Sequence, residues 1–380
     1  MSFAVPLIQH DGQRLRVCEE GMKVLRSITG KICVVAVAGP YRTGKSFLLN
    51  SLLNTATTKS PQGFKVGGTV NACTKGIWLW GSPIESATNG GVWTVFMDTE
   101  GLGSLDQNAT FDTHTFTLAL LLSSLFLLNT QGTISESALE QLELVVECSK
   151  QIRLSKDQNA ETAVADLAAH FPAFLWVLRD FSLQLVDDAG SAITSREYLE
   201  RALRPQVSGR QLEQKNRIRQ VLSTVFPRRD CETLVRPVLD EKELQQLTSV
   251  PHDKLRREFR DGMDKLRNKV FRLATPKTVD GHFVNGAALV LLAQAYTQVR
   301  FSLKPHFERR MEKMEKGPTS NLNLTPFSFL CSLHRPSMTG PFQQFTQHGS
   351  LWWPSSHSRL LRQLSTTFGL VNKQTSRHRL

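Results

Sequence analysis

The sequence predicts an α/β fold, a mostly parallel sheet covered by helices on both faces, and two observations predict it. Over the first 180 residues apolar runs alternate with amphipathic ones, the succession of strand and helix that builds a parallel sheet. One of those runs, residues 32–38, opens directly into Gly39-Pro40-Tyr41-Arg42-Thr43-Gly44-Lys45-Ser46, a complete G-x-x-x-x-G-K-S loop that leaves through Phe47 and a leucine-rich stretch. A buried strand, a glycine-bracketed turn and a helix N-terminus in that order form a phosphate cradle, because backbone N–H groups and the helix dipole face the anion. A nucleoside triphosphate is therefore the expected ligand.

The elements follow in order. Strands are expected at residues 32–38, 77–80, 92–97, 125–128 and 173–178, with helical patterns at 46–53, 114–122 and 135–151 between them. Loops at the carboxyl ends of those strands would line a ligand crevice. From about residue 197 the pattern turns helical, with charged stretches such as 253–261, and a further helix over 287–299 follows Gly281 and Gly286. No internal repeat of fixed period is present.

Composition bounds the class. At 380 residues and 40% hydrophobic content, the chain suits a globular protein of two or three domains. Its longest apolar run, residues 117–128, is too short to span a bilayer. The N-terminus lacks the pattern of a secretory signal. The expected location is therefore the cytoplasm, with peripheral contact at endomembranes. Six cysteines, at 18, 33, 73, 148, 231 and 331, form no C-x-x-C pair, so neither a zinc site nor a disulfide framework is suggested. Seven of the twelve excess positive charges fall after Glu315, where nothing acidic remains. Residues 317–380 thus read as a divergent basic tail, expected to be disordered. Its lysines and arginines are too dispersed for a polybasic cluster, so no specific nucleic acid is expected and only transient membrane-surface contact is.

The chemistry concentrates in four places. Within the phosphate loop, Lys45 should reach the β- and γ-phosphates and the Ser46 hydroxyl should coordinate Mg²⁺. Further on, an apolar strand ends in Asp98-Thr99-Glu100-Gly101, a D-x-x-G string. It is weak alone, but behind a phosphate loop it marks a segment that orders with the triphosphate, Asp98 holding Mg²⁺ through water and the Gly101 N–H meeting the γ-phosphate. Between the two, the polar loop 67–76 carries Thr74, placed to bind Mg²⁺ through its hydroxyl and the γ-phosphate through its N–H; a threonine bonded to its own backbone is the alternative. The fourth place concerns the base. No N-K-x-D tetrapeptide is present, but Arg179-Asp180 follow the strand at 173–178. A carboxylate there can accept from both N1–H and N2–H₂ of guanine, although by itself an Arg-Asp pair after a strand is usually a surface ion pair.

Taken together, Tyr41-Arg42-Thr43-Gly44-Lys45-Ser46-Phe47-Leu48, Cys73-Thr74-Lys75-Gly76-Ile77-Trp78, Asp98-Thr99-Glu100-Gly101 and Leu178-Arg179-Asp180-Phe181 resemble the guanylate-binding proteins, large GTPases related to dynamin. The likeness covers roughly residues 4–250. It implies an enlarged Ras-like GTPase domain, here residues 1–280, followed by the start of a helical domain at 281–316. It also implies GTP as substrate, Mg²⁺-dependent hydrolysis to GDP or onward to GMP, and homodimerisation through the GTPase faces. Carried over by motif, Arg42 becomes a cis arginine finger, Glu100 holds the water network of the nucleophile, and Arg179 and Asp180 take the base. Gly39, Tyr41, Thr43, Gly44 and Phe47 complete the nucleotide contacts.

Two departures stand out. Ala72 occupies a position where the family often has a serine that positions the attacking water, and the long helical bundle of the family is lost after about residue 300, leaving either a short divergent region or a shifted reading frame. Three functions follow: a GTPase, a GTP-loaded recruitment module with little hydrolysis, or a phosphate-loop ATPase of another lineage, against which Asp180 argues.

Overall fold

A computed structural model describes residues 3–11, 14–53, 63–66, 75–86, 90–101, 109–154, 171–209, 211–279 and 281–298. Thr74, Ala72, the region after residue 298 and hence the expected tail lie outside the described residues. In chain order come β1 (Ala4–His10), β2 (Leu15–Val17), α1 (Glu19–Arg26), β3 (Lys31–Ala38), α2 (Lys45–Leu53), β4 (Ile77–Trp80), β5 (Ile84–Glu85) and β6 (Val92–Thr99). They are followed by α3 (Ala109–Leu122), β7 (Leu125–Gln131), α4 (Glu136–Leu154), β8 (Ala173–Arg179), α5 (Ser195–Ala202), α6 (Leu212–Val225) and β9 (Arg229–Thr233). Last are α7 (Glu241–Gln245), α8 (Arg257–Leu273), the short hairpin strands β10 (Thr278–Val279) and β11 (His282–Phe283), and α9 (Gly286–Gln298).

The main sheet runs β2-β1-β4-β6-β3-β7-β8-β9, with β5 added on β6. From β6 through β9 neighbouring strands are parallel; β1, β2, β4 and β5 pair antiparallel. The mixed, mostly parallel sheet is thus the expected one. Strict alternation sends side chains to two cores. On β3, Ile32, Val34, Ala36 and Ala38 face the layer that contains α1, α3, α4, α6 and α9, while Val35 and Val37 face the layer of α2 and α8. Strands buried on both faces are continuous apolar runs, which is why residues 32–38 and 173–178 stood out.

Several elements differ from expectation. The sequence reading places no strand at β1, β2, β5, β9, β10 or β11, and β9 falls in the stretch that reads as helical. Its sequence, Arg-Asp-Cys-Glu-Thr, is mostly polar. The strand forms because α8 neutralises its carboxylates: Lys269 Nζ lies 3.1 Å from Asp230 and 2.9 Å from Glu232, and Arg272 lies 3.0 Å from Asp230. Residues 253–261 are only partly helical, because α8 begins at Arg257.

The helix after Gly286 is rooted in the sheet domain. Lys277 N–H donates to Ile32 O, Ile32 N–H to Val284 O and Gly286 N–H to Ile28 O, and Leu289, Val290 and Ala293 are buried. Among the described residues no helix is long and apolar enough to cross a membrane. Cys18, Cys33, Cys148 and Cys231 are free thiols, and burial pushes Cys33 up to about 11 and Cys148 up to about 12.

Candidate functional site

β3 is the switch point of the sheet, with β6 on one side and β7 on the other, and a ligand crevice opens where neighbouring connections diverge. The loop Gly39–Gly44 leaves β3 at that point. Gly39 has φ 150°, and a Cβ there would stand 2.0 Å from Asn129 O, so only glycine lets the loop pass β7. Gly44 takes φ 76° and Arg42, not a glycine, takes φ 62°; left-handed backbone in a bulky residue is a strained state of the kind that gathers at functional sites.

Lys45 turns its ammonium back into the loop, donating to Pro40 O at 2.9 Å and Gly39 O at 3.2 Å. It is 7% exposed. Burial pushes its pKa down to about 8, against the pull of Asp98, Glu100 and Asp112 and with the push of Arg42. One residue on, Ser46 Oγ donates to Asp98 Oδ2 at 2.6 Å, joining the first turn of α2 to the end of β6. Asp98 is wholly buried. These two hard oxygens on adjoining elements fit Mg²⁺, which takes few protein ligands and keeps several waters.

Glu100 closes the end of β6. Its Oε2 accepts from Gly76 N–H at 3.0 Å, while its own N–H donates to Gly76 O at 2.9 Å, so it anchors the segment that follows Thr74. Burial raises its pKa and Asp112 raises it further, while the Gly76 N–H opposes both. Gly101 lies so close to the loop that a Cβ would meet Tyr41 Cα at 2.4 Å. The Arg42 guanidinium stacks on Tyr41, 4.9 Å from the ring centre.

At the far end of the crevice β8 delivers Arg179 and Asp180 with opposite fates. Arg179, 4% exposed, donates Nη1 to Gly44 O at 3.3 Å and stands over the rings of Phe47 and Phe259. Burial brings its pKa down to about 10, with Asp180 pulling the other way. Asp180 has φ 54°, a conformation aspartate tolerates, and Gln131 Nε2 donates to its Oδ2 at 3.3 Å. One cleft of about 250 Å³ joins the two ends: Tyr41 to Phe47 line the phosphate side, Gln131, Arg179 and Asp180 the other, and Pro237, Leu244 and Leu247 supply an apolar wall.

Comparison with known proteins fits this geometry. The family model for the guanylate-binding protein N-terminal domain matches residues 12–279. The chain belongs to the guanylate-binding protein family. It is 38% identical over 301 residues to guanylate-binding protein 1 of Mus musculus, covering 78% of this chain and 50% of that one. With guanylate-binding protein 7 of Homo sapiens the identity is 37% over 302 residues, 78% of this chain and 46% of the relative. Guanylate-binding protein 2 of Mus musculus matches at 32% over 377 residues, 92% of this chain and 62% of the relative. The chain thus spans about half the length of the first two relatives. A solved bacterial selenocysteine-specific elongation factor, EF-Sec, is similar only with a TM-score of 0.28 at 13% identity, over 64% of this chain and 28% of its own.

Within this guanylate-binding-family chain, the structure brings Tyr41, Arg42, Thr43, Gly44, Lys45, Ser46, Phe47, Gly101, Arg179 and Asp180 to one cleft, with Gly39, Asp98 and Glu100 directly behind it. Thr74 lies outside the described residues. Arg179 points its guanidinium at the phosphate loop, so its visible contact is with the protein.

Sequence reasoning missed three contributions. Asn129 donates to the loop through Nδ2, to Thr43 O at 2.9 Å and to Thr43 Oγ1 at 2.8 Å; an amide ending an apolar run was its only signal. Gln131 carried none. The wall of Pro237, Leu244 and Leu247 lies in a stretch that reads only as helical and charged.

Proposed function

We propose that this protein binds GTP in the cleft and hydrolyses it to GDP with Mg²⁺, as a nucleotide-dependent homodimer formed through the GTPase faces. The observation that carries the reading is the continuity of a single cleft from the Lys45 loop to Asp180, which matches a ligand with phosphates at one end and a guanine at the other. Family membership supports it.

Each residue then has a task. Lys45 exchanges its bonds to Gly39 O and Pro40 O for β- and γ-phosphate oxygens, and loop N–H groups take the remainder. Ser46 and Asp98 would hold Mg²⁺, Ser46 directly and Asp98 through water; the ion supplies charge to neutralise the phosphates. Asp180 accepts from N1–H and N2–H₂ of guanine, a donor pair adenine does not present together. The base sits against the Pro237, Leu244 and Leu247 wall. Arg42 leaves the Tyr41 ring when two domains meet and covers the charge that develops on the phosphates, a contribution of about 10³ to 10⁵ in rate where such fingers act. Glu100 fixes the segment after Thr74, so that Thr74 can face the γ-phosphate.

The test is turnover by the full chain with GTP and ATP, products resolved chromatographically. GTP-specific formation of GDP supports the enzyme. Tight GTP binding without turnover would instead support the recruitment module, which the replacement by Ala72 favours. Equal use of ATP would contradict the role of Asp180.

A further inference from the structure

We propose that β7 acts as the spacer between the phosphate and base ends of the cleft, through two side-chain amides on one of its faces: Asn129 as a positioning residue for the phosphate loop and Gln131 as one for Asp180. The inference rests on the reading of the cleft as a GTP site and assigns residues to it that no motif contains.

Residues two apart on a strand share a face. On β7 that face begins with Leu125 and Leu127, both fully buried in the core beneath α2 and α8, and continues with Asn129 and Gln131. The strand is held in parallel register on both sides, Leu128 opposite Ala38 of β3 and Gln131 opposite Arg179 of β8. Whatever its last residues grip is therefore set at a fixed distance along the sheet.

Asn129, 0% exposed, grips the loop at both ends. Its backbone oxygen occupies the space beside Gly39, and its Nδ2 donates to Thr43 O and Oγ1. The polarity is specified, because Thr43 Oγ1 directs its own hydrogen to Pro40 O at 2.9 Å. Both targets of the amide are thus acceptors, and only a donor fits. Asparagine supplies two donors; aspartate of the same shape supplies none when ionised. Two residues further on, about 6.6 Å along the strand at a rise of about 3.3 Å per residue, comes the second grip: Gln131 Nε2 donates to Asp180 Oδ2 at 3.3 Å. That bond orients the carboxylate of a residue whose backbone is left-handed, at φ 54°.

The test uses the full chain and three variants, Asn129→Asp, Thr43→Val and Gln131→Leu, with two readouts. One is hydrogen exchange of amides 41–44 without nucleotide; the other is affinity for GTP, ATP and XTP. Asn129→Asp should speed exchange of the loop and weaken every triphosphate at least about tenfold, with the guanine-to-xanthine ratio unchanged, since two hydrogen bonds are lost. Thr43→Val, similar in size, should act in the same direction and stands in if the aspartate variant does not fold. Gln131→Leu should leave loop exchange as in the wild type and lower the preference for GTP over ATP several-fold. Wild-type exchange and affinity in Asn129→Asp would overturn the role of Asn129. A Gln131→Leu variant with unaltered base preference would overturn that of Gln131. If the wild type binds no GTP, the proposed function falls by itself, while loop exchange still decides whether Asn129 holds the loop.

Discussion

The Ser46 hydroxyl donates to Asp98 Oδ2 across 2.6 Å, tying the first turn of the phosphate-loop helix to the end of the neighbouring parallel strand. If these oxygens hold Mg²⁺ with the triphosphate, removing either one uncouples nucleotide affinity from the metal. Ser46→Ala and Asp98→Asn should each bind GTP equally with Mg²⁺ or with chelator, whereas the wild type should bind at least about tenfold more tightly with Mg²⁺. Titration of a fluorescent GTP analogue in both conditions measures this. Retained metal dependence in both variants would contradict the site.

Lys45 should make the nucleotide-free protein more stable as the pH turns alkaline. Its pKa is about 8 when folded, against an ordinary value of 10.5, chiefly through burial. Between those values the unfolded chain carries a proton that the folded one has released, so stability should rise with pH across this window; below it the full cost of burying the charge is present. A Lys45→Met variant lacks the effect. The melting temperature of the wild type relative to Lys45→Met should climb between pH 8 and 10, by an amount on the order of 1 to 3 kcal/mol in stability. Parallel profiles would rule it out. The same variant should lose triphosphate binding.

Asp180 should set the choice of base. Replacing its carboxylate by an amide, Asp180→Asn, puts a donor where guanine requires an acceptor and suits the extra oxygen of xanthine. Competition of XTP against GTP should then favour XTP, and a variant that still prefers GTP would place base recognition elsewhere in the cleft.

The central strands and the phosphate loop were legible because their burial on two faces leaves continuous apolar runs, and because Gly39 and Gly44 answer to backbone demands that other residues cannot meet. Asp98 was legible as the acid of a D-x-x-G string at a strand end, whereas Glu100 and Asp180 were singled out by the resemblance of their motifs to the family. β9 was not, because Asp230 and Glu232 look like surface residues until Lys269 and Arg272 arrive from α8, about 40 positions later. Asn129 escaped for a related reason: its partner is a loop 86 residues away, and no local pattern encodes that pairing. In the apolar wall, Pro237 sits in a bend and Leu244 and Leu247 in short helical turns of mostly polar sequence, so local composition gives no sign that they meet.

That charge cluster gives a stability prediction. Asp230 and Glu232 are almost fully buried, their side chains 5% and 8% exposed. Lys269→Ala removes a cation shared by both and leaves carboxylates without it. Denaturant unfolding should show a loss of about 3 kcal/mol. A Lys269→Arg variant should recover part of it, and a loss below about 0.5 kcal/mol would show that the cluster is no more than a solvated surface pair.

The central claim is that this cleft turns over GTP with help from Arg42 when two domains meet. The direct measurement is GDP formation per molecule of the 380-residue chain across a series of protein concentrations, for the wild type and Arg42→Ala, with ATP as control. The account predicts a GTP-specific rate that rises with wild-type concentration, and an Arg42→Ala variant that binds GTP nearly as tightly but turns it over at least about a hundredfold more slowly. Equal rates for the two proteins, or a rate independent of concentration, would contradict it.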